Sequence, residues 1–501
     1  MTRPADDVPL HAAQDPLVVA LDVGSTASRG GVHDATGRPV RGLRHKVPHA
    51  FTTAPDGTSV IDADQVVDEI ATVLDAVTAD PALGTRVAGV ALDTFAASLV
   101  GVDAAGRALT PCLTYADSRC APDLVELRAL LDEAAVQDRT GVRLHTSYHA
   151  PRLRWFARTE PRTAAAVRGW WSLGELVLAR LVGTPMAGTS TVAWTGLLDR
   201  RTGALDAELL EAAGVGPDLF SPPRDPDAPV AAAAPSRWPA LARAVWFPVV
   251  TDGLASNLGA GAHDPSVLAA ATATSGALRV LLDGPADPLP AGLWNYRVDA
   301  RRTLLGGAVN DVGRAVSWAQ ATLRLGDDPG AVLAADPSAA TPLVLPYLTG
   351  ERAPGWVGDA RAVLTGVSAS TDADALLRGL LVGVAMTYAR VADELGPHVP
   401  ADAQVAAAGR VSNDLPGWLQ VLADVLGRPV THVTRSRATQ RGTALLALEV
   451  LAPDVPRAPR TTGATLEPVA ARADHYAERR ARFDAVYDAV LRPGGPAATA
   501  P

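Results

Sequence analysis

Short apolar runs alternate with amphipathic stretches along most of the chain. Leu17 to Leu21 is a continuous apolar run, and Gly30 to Asp34 follows a bend rich in small hydroxyl residues, which predicts strand, tight turn, strand. A turn at Ala35 to Pro39 leads to a third strand over Val40 to Val47. Between Asp62 and Ala79, Val66, Val67, Ile70, Val73, Leu74 and Val77 recur at helical spacing and predict an amphipathic helix. Val87 to Leu92 reads as a buried strand ending in Asp93-Thr94. Leu99 to Val102 reads as another, closed by the turn Asp103 to Arg107. Helices are expected over Leu124 to Ala135, Ala164 to Trp171 and Leu173 to Leu181.

The second half repeats the opening theme. Ser221 to Pro239, rich in Pro, Ala and Asp, is the best linker candidate, although a surface loop inside one domain has the same composition. A strand over Ala244 to Val250 runs into Thr251-Asp252-Gly253. Val267 to Ala271 and Ala277 to Leu282 then flank the small-residue bend Thr272 to Gly276. Two strand–bend–strand units, one per half, point to a duplicated fold. A strand over Gln404 to Ala408 stops at Gly409-Arg410. A helix over Pro416 to Leu426, a strand over Pro429 to Val433 and a helix over Gln440 to Leu451 close the second domain. A last helix is expected over Ala470 to Leu491. Strands alternating with helices in both halves indicate an α/β architecture.

Composition narrows the partners. At 501 residues the chain is too long for one core, and 48% hydrophobic with 20% charged residues is a normal globular balance. A net charge of −9 argues against a nucleic-acid partner. Lys46 is the only lysine, and no lysine-dependent P-loop string occurs. Cys112 and Cys120 are too few for a disulfide framework; they read as small buried thiols, and a cytoplasmic setting fits. No leader pattern opens the chain and no uninterrupted apolar run is long enough to span a bilayer, so no membrane partner is expected. The first residues are polar and Pro-containing, as a frayed terminus is.

The chemistry concentrates in a few bends. In LDVGSTASR, Leu21 to Arg29, backbone N–H groups of a Gly-Ser-Thr turn can cradle a phosphate. Arg29 can neutralise phosphate charge, and Asp22 can hold magnesium through water. Phosphoryl transfer needs a phosphate cradle, a metal holder and a base for the attacking hydroxyl. A cradle in each half could clamp a nucleotide between two lobes. Asp22 and Asp252 each end an apolar strand. Singly, each is more readily read as a cap of the following turn or helix; both at strand ends reverse that and tip the reading toward catalysis.

At this point the chain resembles the FGGY family of carbohydrate kinases, within the actin-like ATPase superfamily, closest to its gluconokinase-like branch and with xylulokinases near. The resemblance rests on LDVGSTASRGGVHDATGRPV, SLVGVDAAGRALTPCLTYADSR, YHAPRLRWF, TDGLASNLGAG, ATSGALRV, LPYLTGERAPGW, LTGV...LLRGLLVGVA, WLQVLADVLGRPV and RGTALLALEVL, in order between Leu17 and Leu451. It implies two ribonuclease-H-like domains with an interdomain cleft. Implied boundaries are a disordered terminus at 1–14, an N-terminal domain at 15–262 with the sugar site and first phosphate loop, a C-terminal domain at 263–453 on the nucleotide side, and a Pro/Arg-rich tail with a terminal helix at 454–501. It implies ATP and Mg2+ as cofactors, a small-molecule sugar, sugar acid or polyol as substrate, and leaves a homodimer open.

Residue roles follow from the same resemblance. Asp252 matches the catalytic base, with Thr251 where glycine is common. Asp22, Gly24, Ser25, Thr26 and Arg29 match the first phosphate loop, with Asp22 and Asp252 on the metal. Thr274 and Ser275 match the second loop; Gly306, Gly307, Gly409 and Arg410 fall on the nucleotide side. Thr94, Ala96, Ala97, Asp117, Arg119 and Asn257, with Asp252, fall at the sugar side. Glu351 and Arg352 match a GERAP string without an assigned role.

Three departures stand out. Relatives read TFWHS where this chain has Thr94-Phe95-Ala96-Ala97-Ser98, which enlarges and depolarises the pocket. Ala273 replaces a glycine before Thr274, tolerable only at negative φ. At the adenine-side turn only Gly409 of a glycine pair remains, followed by Arg410, which stacks on adenine, blocks it, or lies on the surface. The alternative to a kinase is a catalytically weakened sugar- or nucleotide-binding relative with a regulatory role. Trp170, Trp171 and Trp194 read as packing, His145 and His149 as cleft-edge residues, and Arg472, Arg479, Arg480 and Arg482 as a solvated helix face.

Overall fold

A computed structural model describes residues 7–232, 236–326, 328–434 and 438–491 of the protein. Two seven-stranded mixed sheets organise it. In the first, Leu17–Val23, Ala27–His33 and Pro39–Pro48 form an antiparallel meander, and Val87–Thr94 joins Leu17–Val23 in parallel. Val245–Trp246 and Val250–Thr251 extend the parallel half beyond Val87–Thr94. The second sheet repeats this plan. Val267–Thr272, Gly276–Asp283 and Arg302–Val309 are antiparallel, and Gln404–Ala408 and Val430–Val433 follow in parallel. The duplication inferred from the two hydroxyl-rich bends is therefore a duplication of sheet topology.

Every residue of Leu17–Val23 is buried, as expected of a strand covered on both faces. One cover is the helix Ala63–Val77, whose stripe Val66, Ile70, Val73 and Val77 is buried and whose first turn is capped by the Asp62 carboxylate. On the other face lies the helix Ala438–Leu451. It was expected to close the second domain, yet it packs against the helix Asp252–Gly259 and the first sheet. Glycine makes that contact possible: a Cβ at Gly259 or Gly442 would strike the backbone of the opposite helix.

Several local expectations change. The stretch Leu124 to Ala135 is two helices, Ala121–Leu130 and Glu133–Thr140, because Asp132 caps the second. Ala164 to Trp171 is not one helix. Pro161–Ala166 is helical, and Gly169–Trp171 is a strand paired with Val100–Val102, which seats Trp170 against Phe156. The proposed linker Ser221 to Pro239 supplies an edge strand, Val230–Ala231, to the first sheet; residues 233–235 lie outside the described residues. Pro248 splits the strand expected over Ala244 to Val250, since proline cannot donate to the ladder.

Of the terminus expected to be disordered, residues 1–6 lie outside the described residues, whereas Val8 is buried and exchanges backbone hydrogen bonds with Pro39 and Arg41. The helix Ala373–Leu395 carries no amphipathic signature because it is buried nearly all round, with Leu381, Val384, Tyr388 and Val391 in the second core. It is the one described helix apolar and long enough to cross a membrane, and most of its apolar stretch is buried inside the protein. The terminal helix Ala473–Leu491 buries Tyr476, Phe483 and Tyr487. Its Arg479 is not solvated: it is buried and donates to the carbonyls of Thr341 and Pro342.

Candidate active site

The parallel register aligns three strand ends. Asp22 lies opposite Asp93 across Leu17–Val23 and Val87–Thr94, and Thr251, the residue before Asp252, lies opposite Thr94. Three carboxylates therefore leave the same edge of one sheet. In the first bend the Gly24 N–H donates to the Ala27 carbonyl at 3.1 Å, closing a tight hairpin with Ser25 and Thr26 exposed. Arg29 donates to Asp22 Oδ2 and to Thr26 Oγ1, both at 3.2 Å.

The second bend sits against the start of the helix Gly313–Thr322. The N–H groups of Gly313 and Arg314 donate to the carbonyls of Ala273 and Thr274 at 2.9 and 3.0 Å. Positive φ among described non-glycine residues is confined to Ala97 and Trp356, so the methyl of Ala273 is accommodated. Gly276 leaves no room for a Cβ beneath the Tyr388 hydroxyl. At the turn expected on the adenine side Gly409 has φ +148°, and a Cβ there would lie 2.5 Å from the Thr272 carbonyl, so glycine is required. Arg410 points to solvent and pairs with Asp414 at 3.0 Å.

Asp252 opens the helix Asp252–Gly259 and faces a cavity of about 130 Å³ between the two halves. Ala96, Ala97, Tyr115, Tyr148 and Trp194 line it from the first half; Ser275, Arg279, Tyr296 and Arg352 do so from the second. Burial lifts the Asp252 carboxyl to about 6; the Arg279 guanidinium pulls it down, the Asp22 charge pushes it up, and the N–H groups of Gly253 and Ala96 lower it. Asp93 is raised well above the carboxylate range, first by burial and then by Asp22. Its Oδ2 accepts from Thr443 at 2.5 Å, while its buried Oδ1 has no hydrogen-bond partner.

Several predicted residues stand apart from the cavity. Asp117 is buried, pairs with Arg119 at 2.8 Å and accepts from the Ser59 N–H; Arg119 stacks on Trp155 at 4.3 Å, so the pair braces the loop carrying Tyr115. Asn257 is fully buried and donates to the Ala262 carbonyl at 2.8 Å, away from this cavity, because it closes the end of its own helix. Gly306 and Gly307 sit mid-strand, where a Cβ would meet Trp294 or Ala353; they serve packing, and Ala308 reaches the pocket instead. Thr94 is buried beside Gly174. Glu351 is buried, paired with Arg390 at 3.2 Å and bonded to Tyr487, so it anchors the loop that delivers Arg352.

Pattern reading missed other residues. Tyr148, Trp194 and Tyr296 form an aromatic wall, with Trp194 stacked on Tyr296 at 3.7 Å and the two tyrosine hydroxyls 2.7 Å apart. Their sequence surroundings give no signal, since the wall joins distant segments. Arg279 lies in the ATSGALRV string and was readable as an inward residue of a buried strand. Cys112 and Cys120 are free and buried, with thiols pushed up to about 12 and 11 by burial.

Two duplicated sheets, a hydroxyl-rich bend in each and an acidic strand edge beside a shared cavity define a two-domain α/β phosphotransferase. The sequence pattern of the FGGY family of carbohydrate kinases, N-terminal domain, matches residues 17–248, and that of the C-terminal domain matches residues 269–449. The chain belongs to the FGGY family of carbohydrate kinases. It is 23% identical to a gluconokinase of Bacillus subtilis (strain 168) over 456 residues, 86% of this chain and 87% of that protein. Its fold is similar to a gluconate kinase and to a ligand-bound xylulose kinase, both from Lactobacillus acidophilus. Each has a TM-score of 0.86, 22% identity, and coverage of 95% of this chain and 98% of the other.

Proposed function

We propose that the protein transfers the γ-phosphoryl group of ATP to a hydroxyl of a small sugar, sugar acid or polyol, with Asp252 as the base. The observation that carries this reading is the position of Asp252, which faces the same cavity as Ser275 and Gly276 of the second bend. An acceptor hydroxyl in the cavity would meet the base on one side and the donor phosphate on the other. The backbone of both bends, with Thr26 and Arg29, would receive the phosphates. Aspartate suits the task because it need only accept the hydroxyl proton as the phosphoryl group arrives.

The residues fit a magnesium ion carried by the nucleotide. Asp22 supplies a carboxylate at the strand edge, and the buried Oδ1 of Asp93 in the adjoining register position has no hydrogen-bond partner. Among the described residues no group of three or more acidic, His or Cys side chains is arranged to hold a metal by itself. Asp22 and Asp252 would therefore reach the ion through water, as is common for magnesium. The bound ion would neutralise phosphate charge. The aromatic wall of Tyr148, Trp194 and Tyr296 would limit the access of water to the transferring group once an acceptor fills the cavity, which restrains wasteful ATP hydrolysis.

The test is a panel of sugars, sugar acids and polyols with magnesium-ATP and coupled ADP detection. Phosphorylated product from any of these acceptors is expected. Stabilisation by ATP with no product from any acceptor would instead favour a nucleotide-binding relative.

A further inference from the structure

The acceptor cavity contains one carboxylate, Asp252, and two arginines, Arg279 and Arg352. Neither arginine forms an ion pair among the described residues, and in both the buried Nε has no hydrogen-bond partner. Two fully buried arginines, Arg152 and Arg200, are engaged more completely. Arg152 places Nε, Nη1 and Nη2 on the carbonyls of Thr146, Ala97 and Thr114 at 2.7–2.9 Å. Arg200 pairs with Asp138 and Asp287. By contrast, the bonds of Arg279 run from Nη1 alone, at 3.3 Å to the Gly253 carbonyl and 3.2 Å to Ser256 Oγ. The guanidinium of Arg352 lies 5.7 Å from the ring centre of Trp356. Asp252 is the one carboxylate lining the cavity with these two guanidiniums, so the lining carries a positive charge that an anionic ligand can offset.

Resting on the kinase reading above, we propose that Arg279 and Arg352 bind an anionic group of the acceptor, so that this site takes a sugar acid through its carboxylate in preference to a neutral sugar or polyol. Planar guanidinium forks match a carboxylate through paired charge-assisted hydrogen bonds. Asp252 faces the same cavity and meets a hydroxyl of the same molecule. The rings of Trp194, Trp294 and Tyr296 offer an apolar wall to the carbon chain of that molecule. The space, about 130 Å³, admits on the order of ten water-sized groups, enough for a short polyhydroxy chain.

The test uses the full-length protein and equilibrium titration without nucleotide, with four- to seven-carbon aldonates, their matched alditols and pentuloses as probes. At least one aldonate is expected to bind about tenfold or more tightly than its alditol, as charge-assisted pairs imply. Arg279→Met and Arg352→Met are each expected to remove most of that preference, with ADP affinity within twofold of the parent to report an intact fold. Three results would overturn the inference: no aldonate binds, neutral probes bind as well as the acids, or the preference survives both substitutions. Loss of kcat for acid and neutral acceptors alike in Arg279→Met, with the binding preference intact, would also overturn it by assigning Arg279 to the phosphoryl group. Aspartate-dependent phosphorylation of a neutral pentulose alone would leave the kinase reading standing while this one fails.

Discussion

His49 holds the first bend from beneath, with its Nε2 2.8 Å from the carbonyl oxygen of Gly24. The main-chain N–H of His49 also donates to the Thr26 carbonyl at 3.1 Å, so one residue grips both ends of the turn. Nδ1 lies 2.7 Å from Glu69, whose carboxylate is further bonded by Ser28 and Gln65. The imidazole is fully enclosed. Backbone N–H groups can serve a phosphate only while the turn keeps its shape.

His49→Ala is therefore expected to weaken ADP binding about tenfold, the scale of a lost charge-assisted hydrogen bond, while the acceptor KM moves little. Isothermal titration with ADP reads the first quantity and steady-state kinetics the second. Unchanged ADP affinity would show that the bend holds itself.

Arg152 should govern the opposite half of the site. Ala97 has φ +55°, a conformation that costs an alanine about 1 kcal/mol, and its carbonyl accepts from Arg152 at 2.7 Å. The same guanidinium holds the loops before Tyr115 and Ser147, so three pocket segments hang on it. Arg152→Met is expected to raise the acceptor KM by about tenfold or more and to leave ADP affinity within twofold. An equal loss of both would mean that the substitution disturbs the fold at large.

Asp93 should weaken the fold at neutral pH. Its raised carboxyl pKa means that the folded chain binds this proton more tightly than the unfolded chain. That contribution is complete below the ordinary carboxylate range and is lost as pH rises toward the raised value. Asp93→Asn keeps an acceptor for Thr443 and removes the ionisation, so it is expected to stabilise the protein by roughly 1–3 kcal/mol at pH 8 and by less at pH 5. Thermal melts at the two pH values check the sign; a gain that is larger at pH 5 would refute it.

Activity should fall on the acid side near pH 6. The base must be ionised to accept a proton, and Asp252 titrates at about 6 in this site. The expected kcat/KM profile is level above that value and drops about tenfold for each unit below it. A limb at the ordinary carboxylate position would mean that Asp252 is solvated or is not the group that titrates.

Much of this was legible in the chain. The apolar runs at Leu17, Val87 and Gln404, the two hydroxyl-rich bends and the strand-end Asp252 all lie where local pattern places them. Each is local: a run length, a bend composition, an acid after a strand. What sequence reading missed depends on contacts between distant segments. The helix over 438–451 shows nothing in its own residues to say that it leaves the second core, yet Gly442 opposite Gly259 sends it onto the first sheet. Asn257, Gly306 and Gly307 were expected at the site from the family resemblance, whereas Asn257 is buried at the end of its own helix and the two glycines sit mid-strand under close packing. Trp194 looked like packing and lines the pocket.

The most direct measurement is single-turnover phosphorylation by Asp252→Asn, on an acceptor that the parent protein uses and at saturating magnesium-ATP. The substitution is nearly isosteric and removes the proton acceptor. The expected result is a phosphoryl-transfer rate lower by about 10²-fold or more, with ADP affinity and the melting transition preserved. Transfer within a few-fold of the parent rate would contradict the account and take the base away from Asp252.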